Sequence, residues 1–177
     1  AGFFAGMLGF PVYSIARKLD NPFLDRWIAD FRESQGQFLL DKAGCAPLVA
    51  ILLQKGATIG ILGDQHAGPR GLWVDFLGRP ASSHKAVALF TLTSGAPQLV
   101  VYLRRTSQPL HFELGIAGVA DPEKGGSHLQ NARTLTQWYN DRLGEVVRQW
   151  PEQYWWVHRR WKGEPPKRQR RTRRAAA

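Results

Sequence analysis

One cysteine, Cys45, stands in a chain of 177 residues, which excludes an internal disulfide framework and fits a reducing compartment. Long apolar runs are also lacking, since no stretch approaches the roughly 20 uninterrupted apolar residues that a spanning helix needs. Acidic residues are scarce, 14 against 24 Lys and Arg, yet the resulting charge of +10 is not spread over the chain. Arg159 to Arg174 hold nine basic residues against Glu164 alone, a net +8, and everything else carries +2. A near-neutral body with a basic tail follows, so the high isoelectric point describes the tail and not the fold.

Catalytic signatures are missing as well. The sequence holds no Gly-x-Ser-x-Gly elbow, Walker loop, dinucleotide fingerprint or metal-ligand spacing, and no internal repeat. None of the five histidines, His66, His84, His111, His128 and His158, has a carboxylate four or five residues on, where a helix would bring it alongside; for His66 those positions are Arg70 and Gly71. The residues alone name no nucleophile, no base, no metal set and no cofactor. AGFFAGMLGF opens in mid-pattern, without a helix-start signal or a charged leader, and the expectation is a fragment.

What is present suits one domain with a substantial core: 44% of residues are hydrophobic, which excludes a disordered class. Residues 1–9 read as the last turns of a helix, and Val12 to Ala16 as a strand. Asn21-Pro22 starts a helix whose Phe23, Leu24, Trp27, Ile28 and Phe31 recur as one buried face up to about Gly36. A second helix runs from Pro47 to Gly56 and a strand from Thr58 to Gly63. Leu72 to Leu77 is extended, and Ser82 or Ser83 caps a helix that ends at Gly95. Gln98 to Leu103 and Leu110 to Ile116 read as strands, and Leu129 to Trp150 as the longest helix. This alternation predicts an α/β class, a layered sheet flanked by helices, over residues 1–162, followed by a low-complexity basic tail, 163–177.

The stretch Gly60 to Pro80, GILGDQHAGPRGLWVDFLGRP, is the most informative. Its apolar run stops at Asp64-Gln65 before a glycine-rich loop, the pattern of a buried strand whose carboxyl end opens into a site. Phosphate-competent arginines stand near other element ends: Arg17 after the first strand, Arg32 on the first full helix, Arg70 in the glycine loop, and Arg104-Arg105 after a later strand. For each isolated Arg the ordinary alternative is a solvated or ion-paired surface residue. His66 and His84 read as structural or surface residues. Near the end, PEQYWWVHRRWKG interleaves Tyr154, Trp155, Trp156 and Trp161 with His158, Arg159, Arg160 and Lys162, which suits a membrane interface. Its bland alternative is a C-terminal helix with tryptophans on the core and arginines in water.

The run GILGDQHAGPRGLWVDFLGRPASSHKAVALFTLTSGAPQLVVYLRR, with upstream SIARKLDNPFLDRWIADFRESQGQ and downstream PEQYWWVHRRWK, resembles the bacterial lipid A biosynthesis acyltransferases, lauroyl and myristoyl transferases of the lysophospholipid acyltransferase superfamily, over Gly2 to about Lys162. The resemblance implies a glycerolphosphate-acyltransferase-like fold, incomplete at its N-terminus. It implies transfer of a fatty acyl group from an acyl carrier protein or coenzyme A thioester to a hydroxyl of a lipid A precursor or related glycolipid, with no cofactor or metal. It places Arg17 and Arg32 near the acceptor or donor phosphates and Asp64-Gln65 in the acceptor pocket; Arg70 and Arg104 stay candidate phosphate contacts on their position near element ends alone. It puts the protein at the cytoplasmic face of the bacterial inner membrane, with Trp155, Trp156, Arg159, Arg160 and Trp161 at an anionic surface. The family's His-x4-Asp/Glu base motif stands directly before the segment matching AGFFAGMLGFPVYSIARKL, so the expectation is a truncated, inactive chain. An alternative keeps the superfamily and changes the acceptor to another phospholipid or glycolipid. A nucleic-acid binder using KRQRRTRR is disfavoured, because its charge is confined to the tail and not laid across a folded face.

Overall fold

The computed structural model describes residues 2–166. After a short helix α1 (Gly2–Met7) the chain alternates β1 (Val12–Ala16), α2 (Pro22–Glu33), β2 (Gln37–Asp41), α3 (Ala46–Gln54) and β3 (Thr58–Gly60). These strands form a parallel sheet in the order β2-β1-β3, with Ala16 opposite Asp41 and Ser14 opposite Gly60. Helical crossovers put successive strands in parallel, so the carboxyl ends of all three meet at one edge. Two antiparallel pairs follow: β4 (Leu72–Phe76) with β5 (Arg79–Ser83), and, after α4 (Lys85–Ser94), β6 (Gln98–Arg105) with β7 (Phe112–Ala120). The long helix α5 (Ala132–Gln149) closes the set, and single 3₁₀ turns flank it at Ser127–Leu129 and Pro151–Gln153. Mixed helices and sheets of this kind fit the α/β class.

Local chemistry explains the boundaries. Asn21 caps α2 by accepting from the Phe23 and Leu24 amides at 3.0 and 3.2 Å, and Asn131 caps α5 in a reciprocal box with Thr134. Gly95 ends α4 at φ 75°, a left-handed conformation that glycine adopts without strain.

Helix α5 carries the core on two patches. Leu135 packs with Ala88 and Ala120, whereas Val147 packs with Phe76 and Ala81, joined by the half-buried Tyr154 and Trp161. Between them, Asn140 is buried and takes a polar role described below.

Four expectations are corrected. The apolar face of α2 is not buried: Phe23, Trp27 and Phe31 are 86%, 65% and 54% exposed, because helical spacing makes a stripe without supplying anything to cover it. Strand β3 ends at Gly60 and not Gly63, since its pairing with β1 stops at Ser14. Ser82 and Ser83 cap nothing. They belong to β5 and turn inward to hydrogen-bond Gly68 and Asn140, and His84 takes the N-cap position of α4. Among the described residues no α-helix forms from Pro151 on; the aromatic segment is a 3₁₀ turn followed by further turns.

Candidate functional site

The carboxyl edge of the parallel sheet collects chemistry from three connections. Arg17 and Lys18 follow β1, Lys42 follows β2, and the segment after β3 leads to Asp64, Gln65 and His66. The Lys42 amide donates to the Ala16 carbonyl at 2.9 Å, so β1 and β2 stay aligned to their ends. Lys18 pairs with Asp41 at 3.6 Å and Arg17 with Asp20 at 3.1 Å, both in solvent-exposed positions of modest energetic worth.

His84 faces this edge from the start of α4. Burial and, behind it, the Lys42 ammonium and the Arg160 guanidinium hold its imidazole below the usual histidine range, with the Asp64 carboxylate opposing. His84 is therefore within electrostatic reach of Lys42, Asp64 and His66. His66 is also held low, first by burial and then by the Lys162 and Arg160 charges. Both imidazoles are held below the usual histidine range, and it is His84 that senses the lysine and the aspartate.

The loop bearing Asp64 is fixed by what lies behind it. Tyr154 Oη donates to the Asp64 carbonyl at 3.4 Å, the His66 amide donates to His158 Nε2 at 2.7 Å, and the Ala67 amide donates to the Ser82 carbonyl at 3.1 Å. Gly71 makes the close approach possible, because a side-chain carbon there would overlap Ser82 Oγ and come within 3.0 Å of the Ser83 carbonyl. Burial, then the Asp64 charge, push the Tyr154 phenol up to about 12 against the pull of Arg160, so it stays a donor at any physiological pH.

Beneath this loop Arg160 is 1% exposed. Its guanidinium donates to the Ser82 carbonyl at 2.6 Å, to Ser83 Oγ at 2.6 Å and to Asn140 Oδ1 at 2.8 Å, and it lies 5.1 Å from the centre of the Phe76 ring. No carboxylate pairs with it among the described residues. Burial lowers its affinity for the proton, and Tyr139, Tyr154 and Asp64 oppose that shift.

The expected site residues thus divide. Asp64 is half-buried within electrostatic reach of His84, and Gln65 beside it is exposed. Arg17 and Arg70 are exposed, and Arg32 is half-buried in the last turn of α2. Arg104 is engaged elsewhere, paired with Glu113 and lying 4.7 Å from the Trp150 ring. Of the expected interface set, Trp155, Trp156 and Arg159 are exposed. Trp161 instead docks on β4, its Nε1 donating to the Phe76 carbonyl at 3.2 Å, and Arg160 is corrected outright from a lipid-facing cation to a buried one. Sequence reading passed over Lys42 and Asn140, took His84 for a structural or surface residue, and grouped His158 with a membrane-interface cluster. For Lys42 a signal existed, since it stands directly after a strand-like QFLLD run; for Asn140 there was none.

The chain matches the bacterial lipid A biosynthesis acyltransferase family over residues 7–163, and it belongs to that family. The E. coli K-12 lipid A biosynthesis lauroyltransferase is 27% identical over 158 residues, covering 88% of this chain. The chain spans 50% of that relative's length. Among the described residues no helix is long and apolar enough to cross a membrane.

Proposed function

We propose that this chain carries the acceptor-binding side of an acyltransferase that moves a fatty acyl group from an acyl carrier protein or coenzyme A thioester to a hydroxyl of a lipid A precursor. Residues 1–162 form its domain, with a glycerolphosphate-acyltransferase-like layering, and 163–177 a basic tail. It works at the cytoplasmic face of the inner membrane. The observation that supports the reading is that Lys42 and Asp64, which follow β2 and β3 of the parallel sheet, both lie within electrostatic reach of His84, in a chain of this family. The carboxyl edge of the strands is where open α/β sheets receive ligands. Lys42 supplies a point charge for a phosphate. Asp64, an acceptor of hydrogen bonds, suits a sugar hydroxyl and orients it, and neutral His66 and His84 supply donors without adding repulsion. Arg17, Arg32, Gln65 and Arg70 lie on the connections around it as outer contacts.

Acyl transfer also needs a base that takes the hydroxyl proton, a contribution of about two to four orders of magnitude. Among the described residues no histidine is ion-paired with a carboxylate, so we expect the 177-residue chain to bind acceptor without turning it over. Calorimetric titration with a phosphorylated lipid A precursor in detergent micelles tests the reading. Saturable binding that drops about tenfold or more in Lys42→Ala and Asp64→Ala supports it, since a lost charge-assisted contact is worth about 1.5–3 kcal/mol. Equal affinity for the dephosphorylated lipid, or full affinity in both variants, would sink it.

A further inference from the structure

The C-terminal segment holds the loop of the candidate acceptor edge from behind, and the bonds that do so form one connected set. The Ser82 carbonyl accepts from two donors at once, the Ala67 amide of the loop and the buried Arg160 guanidinium. Ser82 Oγ in turn donates to the Gly68 carbonyl at 2.6 Å, two residues beyond His66. Arg160 is locked at its other end by Ser83 and Asn140, and Asn140 is itself anchored in α5 by donating to the Thr136 carbonyl at 2.7 Å. Two residues before Arg160, His158 accepts the His66 amide, so its Nε2 carries no proton and its Nδ1 does. Every one of these loop contacts is to backbone, so they set the path of residues 64–68 whatever their side chains do.

We propose that Arg160 and His158 are positioning residues that fix the conformation of the Asp64–Gly68 loop, so that the C-terminal HRRW segment sets affinity for the phosphorylated acceptor without touching it. This rests on the acceptor-edge reading above. Arginine is required because lysine has one nitrogen and cannot reach the Ser82 carbonyl, Ser83 Oγ and Asn140 Oδ1 together in a planar fork. His158 is required as an acceptor; a glutamine carbonyl supplies the same function, and alanine leaves the His66 amide without a partner.

The test measures amide hydrogen exchange and lipid affinity on the full 177-residue chain and its Arg160→Lys, His158→Ala and His158→Gln variants. In His158→Ala we expect the His66 and Ala67 amides to exchange about tenfold faster or more, with amides such as Val147 in α5 unchanged, and the affinity for the phosphorylated lipid A precursor to fall by about the same factor. His158→Gln should restore both. Arg160→Lys should act in the same direction, and if it fails to fold the histidine pair still decides. Unchanged exchange at His66 and Ala67 in folded His158→Ala would overturn the clasp, as would unchanged affinity despite faster exchange. If the unsubstituted chain binds no phosphorylated lipid, the acceptor reading falls and the affinity role with it, while the exchange rates still report on whether the clasp holds the loop.

Discussion

A guanidinium surrounded by neutral oxygens is costly to bury, and three of the five N–H directions of Arg160 are met by Ser82, Ser83 and Asn140. Asn140 is the partner whose loss tests this most cleanly. Asn140→Ala removes an acceptor from both Arg160 and Ser83 inside the core, and it should lower unfolding free energy by about 2–3 kcal/mol. A change below about 0.5 kcal/mol in urea melts would mean that the network relaxes freely. The two edge imidazoles carry a pH dependence. His84 and His66 are held below their unfolded value of about 6.5, so the unfolded chain binds more protons as pH falls. Their share of stability is complete above about pH 6.5 and is lost as pH drops through that value toward the lower folded ones. The urea midpoint should therefore fall between about pH 7.5 and 5.5, and His84→Gln should flatten the fall; an unaltered slope in that variant would remove His84 from the account.

At the scale of elements, the aromatic segment after α5 divides by burial. Trp161 lies tilted against Phe76 at 5.8 Å, whereas Trp155 is 71% exposed and Trp156, though it donates to the Pro151 carbonyl at 2.6 Å, is exposed too. Trp161→Ala should cost about 2 kcal/mol or more, and Trp155→Ala should stay within about 0.5 kcal/mol while weakening partition onto lipid vesicles. Equal stability losses would mean that both rings are core. Where the local signal is covalent or periodic, the sequence is readable: Asn21-Pro22, Gly95 and the Val12–Ala16 strand stand where their chemistry puts them. The apolar run that stops at Asp64 was visible in the sequence, but the strand within it ends earlier, at Gly60. That His84 senses both Lys42 and Asp64 was not visible, because it depends on the parallel pairing of β1 with β2 and on the placement of α4, and neither is encoded nearby. Arg159 and Arg160 are adjacent and chemically identical; which one turns inward is settled by Ser82, Ser83 and Asn140, far away in the chain.

For the whole molecule, charge and site are separate. The tail's basic residues from Lys167 on lie outside the described residues, yet their charge alone attracts an anionic surface by about 1 kcal/mol for each residue near it. Ending the chain after Lys162 should weaken sedimentation with anionic vesicles and flatten its salt dependence, and an unchanged salt slope would make the tail a passive extension. That experiment concerns attachment, whereas the central claim concerns the edge where His84 senses Lys42, Asp64 and His66. It is tested most directly by labelling the five histidines with nitrogen-15 and titrating the chain with a phosphorylated lipid A precursor in micelles. The account predicts that the imidazole signals of His66 and His84 move together and saturate. His111, in the β6–β7 connection, and His128, stacked on Trp138 at 5.2 Å, should stay in place. Movement of His111 or His128 with His66 and His84 unmoved, or the same response to the dephosphorylated lipid, would contradict it.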